Sequence, residues 1–339
     1  MNSHGQTNPG RKRRRNEDAF VCSPPLFAVA DGMGGAQAGE VASSLAATAI
    51  SEALGNRDRV EVADPQQVVT GLIREANRLV YERATHDTAA SGMGTTMTVA
   101  LVGDDDTVAI GHVGDSRAYR LRDGRLDQLT DDHSLVAELV RRGELSPEAA
   151  QMHPQRSVIT RALGTDPEVE IDVFSVEGRG GDVFLLCSDG LSTMVDAETM
   201  AHIVERNHGA LETATHELIR AANQRGGDDN ITVVLFEISG GADVEGAAGL
   251  ASATRSPDEE DTLHPDDRVP AQDDAPAPAD GLAGGDTVIL TAEAVRAAIA
   301  SAAEEPPRTF PLGRLLVATL VIIVLACLIV LLSAWGLAR

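Results

Sequence analysis

Hydrophobic and polar positions follow two rhythms along residues 1–239. The short apolar run Leu26–Ala30, ending at Asp31, predicts a strand. Gly39–Leu54 and Pro65–Arg83 place Ala, Ile and Leu on one face at helical spacing and predict two helices. Thr95–Val102, Thr107–Val113, Ser116–Leu121 and Arg125–Leu129 predict successive strands, with Asp123-Gly124 as a hairpin turn. Ser134–Arg142 predicts a helix that stops at Gly143. Strands follow at Val169–Val176 and Val183–Cys187, helices at Glu198–Asn207 and Leu211–Gln224, and a closing strand at Ile231–Ile238. Hairpin-linked strands with helical pairs between them predict antiparallel sheets covered by helices, rather than a doubly wound parallel sheet. Between 133 and 164 the periodicity breaks at Gly143, Pro147 and Pro154, as an irregular excursion would.

The pattern changes after residue 239. Residues 240–310 are rich in Ala, Gly, Pro, Asp and Glu, and acidic residues outnumber basic ones by 15 to 4. Such a stretch buries too little apolar surface to fold alone and predicts a disordered linker, with Thr291–Ala303 as a short alanine-rich helix inside it. Residues 311–339 read as a membrane anchor: Leu315–Ala338 holds no charged residue, and Trp335 sits near one end. At about 1.5 Å per residue that run exceeds a hydrocarbon core of about 30 Å. The expected organisation is a folded domain over 1–239, a linker over 240–310 and one C-terminal transmembrane helix.

Charge and cysteines narrow the function classes. The net charge is −24, and Lys12 is the only lysine, which speaks against nucleic acid as a partner. Cys22, Cys187 and Cys327 form no disulfide framework or Cys-x-x-Cys pair, so a reducing compartment is expected for the main domain. The N-terminal segment is no signal peptide, because Asn16-Glu17-Asp18 follows the basic residues and Pro24-Pro25 interrupts the apolar run. The folded domain is therefore expected on the cytoplasmic side of a cell membrane, touching lipid through 315–338.

The candidate chemistry lies in five acidic motifs: Arg13-Arg14-Arg15-Asn16-Glu17-Asp18, Asp31-Gly32-Met33-Gly34-Gly35, Gly114-Asp115-Ser116-Arg117, Ser188-Asp189-Gly190 and Asp228-Asp229-Asn230. Most of the carboxylates sit beside glycine or asparagine at the ends of strand-like runs, where side chains can converge. Converging carboxylates repel unless a cation neutralises them, and oxygen-only ligands favour Mg²⁺ or Mn²⁺ over Zn²⁺.

Joined by Gly94-Thr95-Thr96 and His153-Pro154-Gln155-Arg156-Ser157, the five motifs resemble the type 2C metal-dependent protein phosphatases, bacterial branch, from about Thr7 to Ile238. The resemblance implies an α+β fold, a four-layer α-β-β-α sandwich of two antiparallel sheets flanked by helices. It implies hydrolysis of phosphoserine and phosphothreonine in proteins by a water held between two divalent ions, Mn²⁺ or Mg²⁺. Asp31 would bridge the ions and the Gly32 carbonyl would bind one of them, while Asp189 and Asp229 would complete the other. Glu17 and Asp18 would hold metal-bound waters. Asp115 would bind a third, weaker ion shared with Asp189, and Arg13 would take the substrate phosphate.

Serine/threonine kinases and their substrates are the implied partners. Two alternatives stay open: a phosphoprotein-binding module without turnover, and a phosphatase dedicated to one small regulatory partner. The sequence departs from the family in two places. Met33 stands where eukaryotic members often carry a histidine, leaving His133, His153 or a water as the leaving-group acid. Only polar residues precede the Asn8-Pro9-Gly10 turn, so the usual first edge strand is either missing or begins upstream.

Overall fold

The computed structural model describes residues 1–34, 38–54, 64–239 and 288–289. In chain order the elements are β1 (Ser3–Asn8), β2 (Asp18–Ser23), β3 (Leu26–Met33), α1 (Ala38–Leu54), α2 (Pro65–His86), β4 (Gly94–Thr95), β5 (Met97–Val102), β6 (Thr107–Val113), β7 (Arg117–Arg122) and β8 (Arg125–Gln128). They continue with α3 (Leu135–Arg141), α4 (Pro147–Gln151), β9 (Val158–Ile159), β10 (Asp172–Glu177), β11 (Val183–Cys187), α5 (Asp189–Ser192), α6 (Ala197–Arg206), α7 (Leu211–Gln224), β12 (Ile231–Glu237) and β13 (Val288–Ile289).

Two antiparallel sheets form the frame. One runs β1-β12-β11-β7-β8; the other runs β10-β6-β5-β3-β2, with β4 added beside β3. Period-two alternation gives each sheet two apolar faces. Between the sheets lie Phe27 and Val29 of β3, Val108 and Ile110 of β6, and Phe184 and Phe236 of β11 and β12. Phe236 stacks on Phe27 at 4.1 Å and on Phe184 at 5.1 Å between ring centroids. Truncating Phe236 would empty the middle of this layer, at a cost of about 3–5 kcal/mol for such a change.

The outer faces are covered by helices. α1 and α2 lay Ala42, Ala46, Ile50, Val69 and Ile73 over Ala28, Val99 and Ala109. α6 and α7 lay Met200, Val204, Leu218 and Ala222 over Leu185, Val233 and Leu235. Helix starts follow local chemistry: Asp64 caps α2 ahead of Pro65, and Ser134 and Asp196 cap α3 and α6.

Three local expectations change. An edge strand does precede the first motif: β1 pairs with β12 from Ser3↔Phe236 to Asn8↔Ile231, so backbone pairing sustains it without an apolar face. β10 begins at Asp172 rather than Val169, while Val169 and Ile171 still pack against the α1–α2 core. The excursion after His133 contains α4 and β9 in addition to the expected helix, α3.

Within the stretch expected as linker, Val288–Ile289 pair in parallel with Val158–Ile159. The rest of 240–310, the helix at 291–303 and the span at 315–338 lie outside the described residues. Among those described, no helix is long and apolar enough to cross a membrane.

Candidate active site

The five acidic motifs meet at one end of the two sheets. Asp18 opens β2 and stands directly across from Asp31 near the end of β3. Asp31 is held through its backbone: its N–H donates to Thr96 Oγ1 at 2.9 Å, and its carbonyl accepts from the Thr96 N–H and the Thr95 hydroxyl, each at 2.9 Å. The Gly94-Thr95-Thr96 segment is therefore a brace for Asp31. Gly32 must lack a side chain, since a Cβ there would lie 2.1 Å from the Gly39 carbonyl oxygen.

Asp189 begins the one-turn α5 directly after β11, and Asp229 lies in the loop ahead of β12. Asp115 follows β6, on a turn set by Gly114. The second sheet thus delivers Asp18, Asp31 and Asp115, and the first delivers Asp189 and Asp229.

These carboxyl groups feel each other. Burial, followed by the charges of Asp18, Asp189, Asp229 and Asp115, pushes Asp31 well above the usual carboxylate range. Burial first, then the Asp189 charge, does the same to Asp115. Asp18 is pushed up to about 7, mainly by burial and despite two hydroxyl donors. Asp189 is pushed up to about 6 by burial and by Asp229. Asp31 and Asp189 open partly to solvent, whereas Asp18 and Asp115 are buried.

Arg13 lies at the edge of the cluster, donating to Asp229 Oδ2 at 2.8 Å, with both side chains about a quarter exposed (27% and 26%). Lys12 pairs with the exposed Asp228. Glu17 sits one residue before β2; its N–H donates to Asn230 Oδ1 at 2.8 Å, and its carbonyl accepts from the Gly32 N–H.

Three supporting residues carried no assigned role in the sequence. Ser188 and Thr232 donate to Asp18 Oδ2 at 2.8 and 2.6 Å, and Thr232 is joined in turn to Thr7 of β1 at 2.7 Å. Asn230 grips the basic segment, donating to the carbonyls of Pro9 and Arg15. Ser188 and Asn230 belong to motifs already singled out, whereas Thr232 carried no signal.

The donor set fits hard divalent cations. It is all oxygen, and Asp18 Oδ1 and Asp189 Oδ1 are buried without a hydrogen-bond partner. An unsatisfied buried carboxylate oxygen calls for a ligand. Among the described residues no three His, Cys, Asp or Glu side chains already stand as a finished coordination shell. Asp229 accepts from the Asn230 N–H and from Arg13 on its two oxygens, so its side chain must turn to complete one, whereas Asp18 keeps Oδ1 for a ligand.

A cleft of about 1000 Å³ opens beside Asp115 and Asp189 and runs under the excursion, with Met152 and Arg156 on one wall and Arg225 on another. Met33 is buried against Ile159 and Ala162 of the excursion. His133 is fully buried and hydrogen-bonded on both ring nitrogens, which removes it as a leaving-group acid. His153 accepts from the Gln155 N–H, well away in sequence from any acidic motif.

The Protein phosphatase 2C family profile matches residues 11–224. The chain is 40% identical over 245 residues to a serine/threonine phosphatase stp of Listeria monocytogenes, covering 70% of this chain and 96% of the relative. It is 41% identical over 230 residues to the serine/threonine protein phosphatase PstP of Mycobacterium tuberculosis, covering 68% of this chain and 43% of that protein. The crystal structure of the Mycobacterium tuberculosis phosphatase PstP/Ppp superposes with a TM-score of 0.65 at 39% identity, over 70% of this chain and 98% of that one. A PstP catalytic domain in complex with two manganese ions superposes with a TM-score of 0.63 at 36% identity, over 70% and 98% of the two chains. The motifs, the paired sheets and these matches agree: the chain belongs to the protein phosphatase 2C family of bacterial serine/threonine phosphatases, whose cofactor is Mn²⁺ or Mg²⁺.

Proposed function

We propose that the chain hydrolyses phosphoserine and phosphothreonine in proteins by direct attack of water, at a two-cation site built around Asp31. The observation that carries this reading is the buried oxygen-only cluster, with its raised carboxyl groups and two orphaned oxygens. Divalent ions, when bound, supply the positive charge that lowers the pKa of water and balances the phosphate. Asp31, Asp189, Asp229 and the Gly32 carbonyl would hold the two ions, with Asp31 shared between them, and Glu17 and Asp18 would orient surrounding water. Asp115 serves a third position.

Arg13 is the substrate-phosphate ligand. Its guanidinium already donates to one anionic oxygen at the cluster edge, and its planar fork suits a phosphate equally well.

A covalent cysteine route has no support in the two described thiols. Cys187 is fully buried, its thiol pushed up to about 12 chiefly by burial. Cys22 is half-buried in β2 and also raised by burial. A thiol held protonated is a poor nucleophile.

We further propose that residues 315–338 tether the phosphatase to the cytoplasmic face of the membrane, where it opposes serine/threonine kinases. The support is the charge-free run, with Arg308 and Arg314 before it against Arg339 beyond it. Hydrolysis of a phosphothreonine peptide by the purified full-length protein should require added Mn²⁺ and resist vanadate; full activity in excess chelator would overturn the cation site. Protease added outside intact cells should spare residues 1–239, and digestion of that region would overturn the placement.

A further inference from the structure

We infer that His133 is the positioning residue of the Gly114–Asp115 turn, fixing the backbone that aims Asp115 at its cation. The inference rests on Asp115 being a ligand, as proposed above.

One residue grips the peptide on both sides of Gly114. The His133 backbone N–H donates to the Gly114 carbonyl at 2.8 Å, and the Gly114 N–H donates to His133 Nδ1 at 3.1 Å. The turn needs this hold. Gly114 has φ +113°, and a Cβ there would lie 2.6 Å from the Thr96 side chain, so glycine is required and brings the greatest backbone freedom with it.

Acceptance at Nδ1 fixes the tautomer, since the proton must then sit on Nε2, which faces Asp172 Oδ2 at 3.1 Å. Asp172 Oδ1 accepts in turn from Arg161 at 2.7 Å. The ring has 0% exposure and packs against His112 at 4.7 Å between centroids. His112 is satisfied separately, by the Thr98 hydroxyl and the Asp131 carbonyl. Burial lowers the pKa of His133, as a neutral acceptor requires. The arrangement is that of an outer partner that orients a metal-binding group, here through the backbone before it.

The two ring nitrogens can be tested separately. His133→Asn keeps an acceptor oxygen where Nδ1 stands and loses the donor to Asp172. His133→Gln keeps a donor where Nε2 stands and loses the acceptor for Gly114. Calorimetric titration of the full-length protein with Mn²⁺ should show two tighter ions and one weaker ion. His133→Gln should weaken the weaker ion by about tenfold or more, the scale of a lost outer partner, approaching Asp115→Ala. His133→Asn should stay close to wild type, although both variants lose thermal stability.

Equal weakening in Asn and Gln variants would overturn the inference, and so would an unchanged weaker ion in both while Asp115→Ala abolishes it. An unchanged weaker ion in Asp115→Ala would instead show that the ligand assignment itself had failed, and the positioning role with it. If His133→Gln does not fold, nitrogen resonances of the wild type carry the test. The inference expects a coupling across the Gly114 N–H to His133 Nδ1 and a shift of that nitrogen in the weak phase of a Mg²⁺ titration; a missing coupling or an unmoved Nδ1 would overturn it.

Discussion

Two buried polar patches flank the Gly114–Asp115 turn, and they are finished differently. The His112–His133 pair has every ring nitrogen engaged, by Thr98, Asp131, Gly114 and Asp172. The carboxylate cluster leaves Asp18 Oδ1 and Asp189 Oδ1 without partners and crowds like charges until several pKa values rise. A complete buried network specifies structure, whereas an incomplete one is costly unless a ligand completes it. The same strand, β6, leads into both, so a few residues separate what holds the fold from what the fold holds for its cofactor.

Asp31→Ala should separate the two patches most visibly. We expect kcat to fall by at least about a thousandfold, in line with removing a principal electrostatic stabiliser. Without metal, the same variant should melt at or above the wild-type temperature, because a repelled buried carboxyl group has been removed. Near-normal kcat in steady-state assays would reject the bridging role, and a clear drop in metal-free melting temperature would reject the description of the cluster as strained.

His112→Leu should do the reverse. It strands the Asp131 carbonyl and leaves the Thr98 hydroxyl only the Ser116 carbonyl, and loss of about 1–3 kcal/mol is expected in urea unfolding. Mn²⁺ affinity should change little, because His133 and not His112 holds Gly114; a large change would mean that His112 shares that positioning role. The substitution should also alter the acid limb of stability. Burial pushes His112 down to about 3, so its contribution is full above about 6.5, the ordinary histidine value, and is lost as pH falls toward 3. The wild type should therefore lose stability between pH 6 and pH 4 faster than the variant, by up to about 1.4 kcal/mol per pH unit. Asp18 has the opposite sign: its raised pKa contributes stability that is full below about 4 and lost as pH rises through about 7. Comparing variant with wild type at each pH cancels that term.

Arg13→Ala should have the smallest of these effects. It removes a phosphate contact made in the ground state as well as the transition state, so KM for a small aryl phosphate should rise about tenfold with kcat changed less. An unchanged KM would assign Arg13 to the pairing with Asp229 alone.

The strands with continuous apolar runs were readable from sequence because their own side chains fill the core on both faces, as in Thr107–Val113 and Ile231–Ile238. β1 was not, since its hold is backbone pairing to β12 and its residues are all half-buried. α5 is one turn long and leaves no periodic trace. Asp31, Asp115, Asp189 and Asp229 were legible because each sits in a short Asp-Gly, Asp-Ser or Asp-Asn motif, and Glu17 and Asp18 because they close the Arg13–Asp18 motif. Their supports were not: Ser188 and Thr232 reach Asp18 from 170 and 214 positions away, and His133 reaches Gly114 across 19. Such side-chain bonds depend on which strand ends the fold brings together, and local spacing carries no record of them.

The most direct measurement is anomalous scattering at the manganese edge from crystals of the protein soaked in Mn²⁺. Two strong peaks sharing Asp31 as a ligand are expected, one reached by Asp189 and Asp229, with a weaker third beside Asp115. Strong peaks out of reach of Asp31, or a fully soaked crystal with no peak among these carboxylates, would contradict a two-cation site built around Asp31.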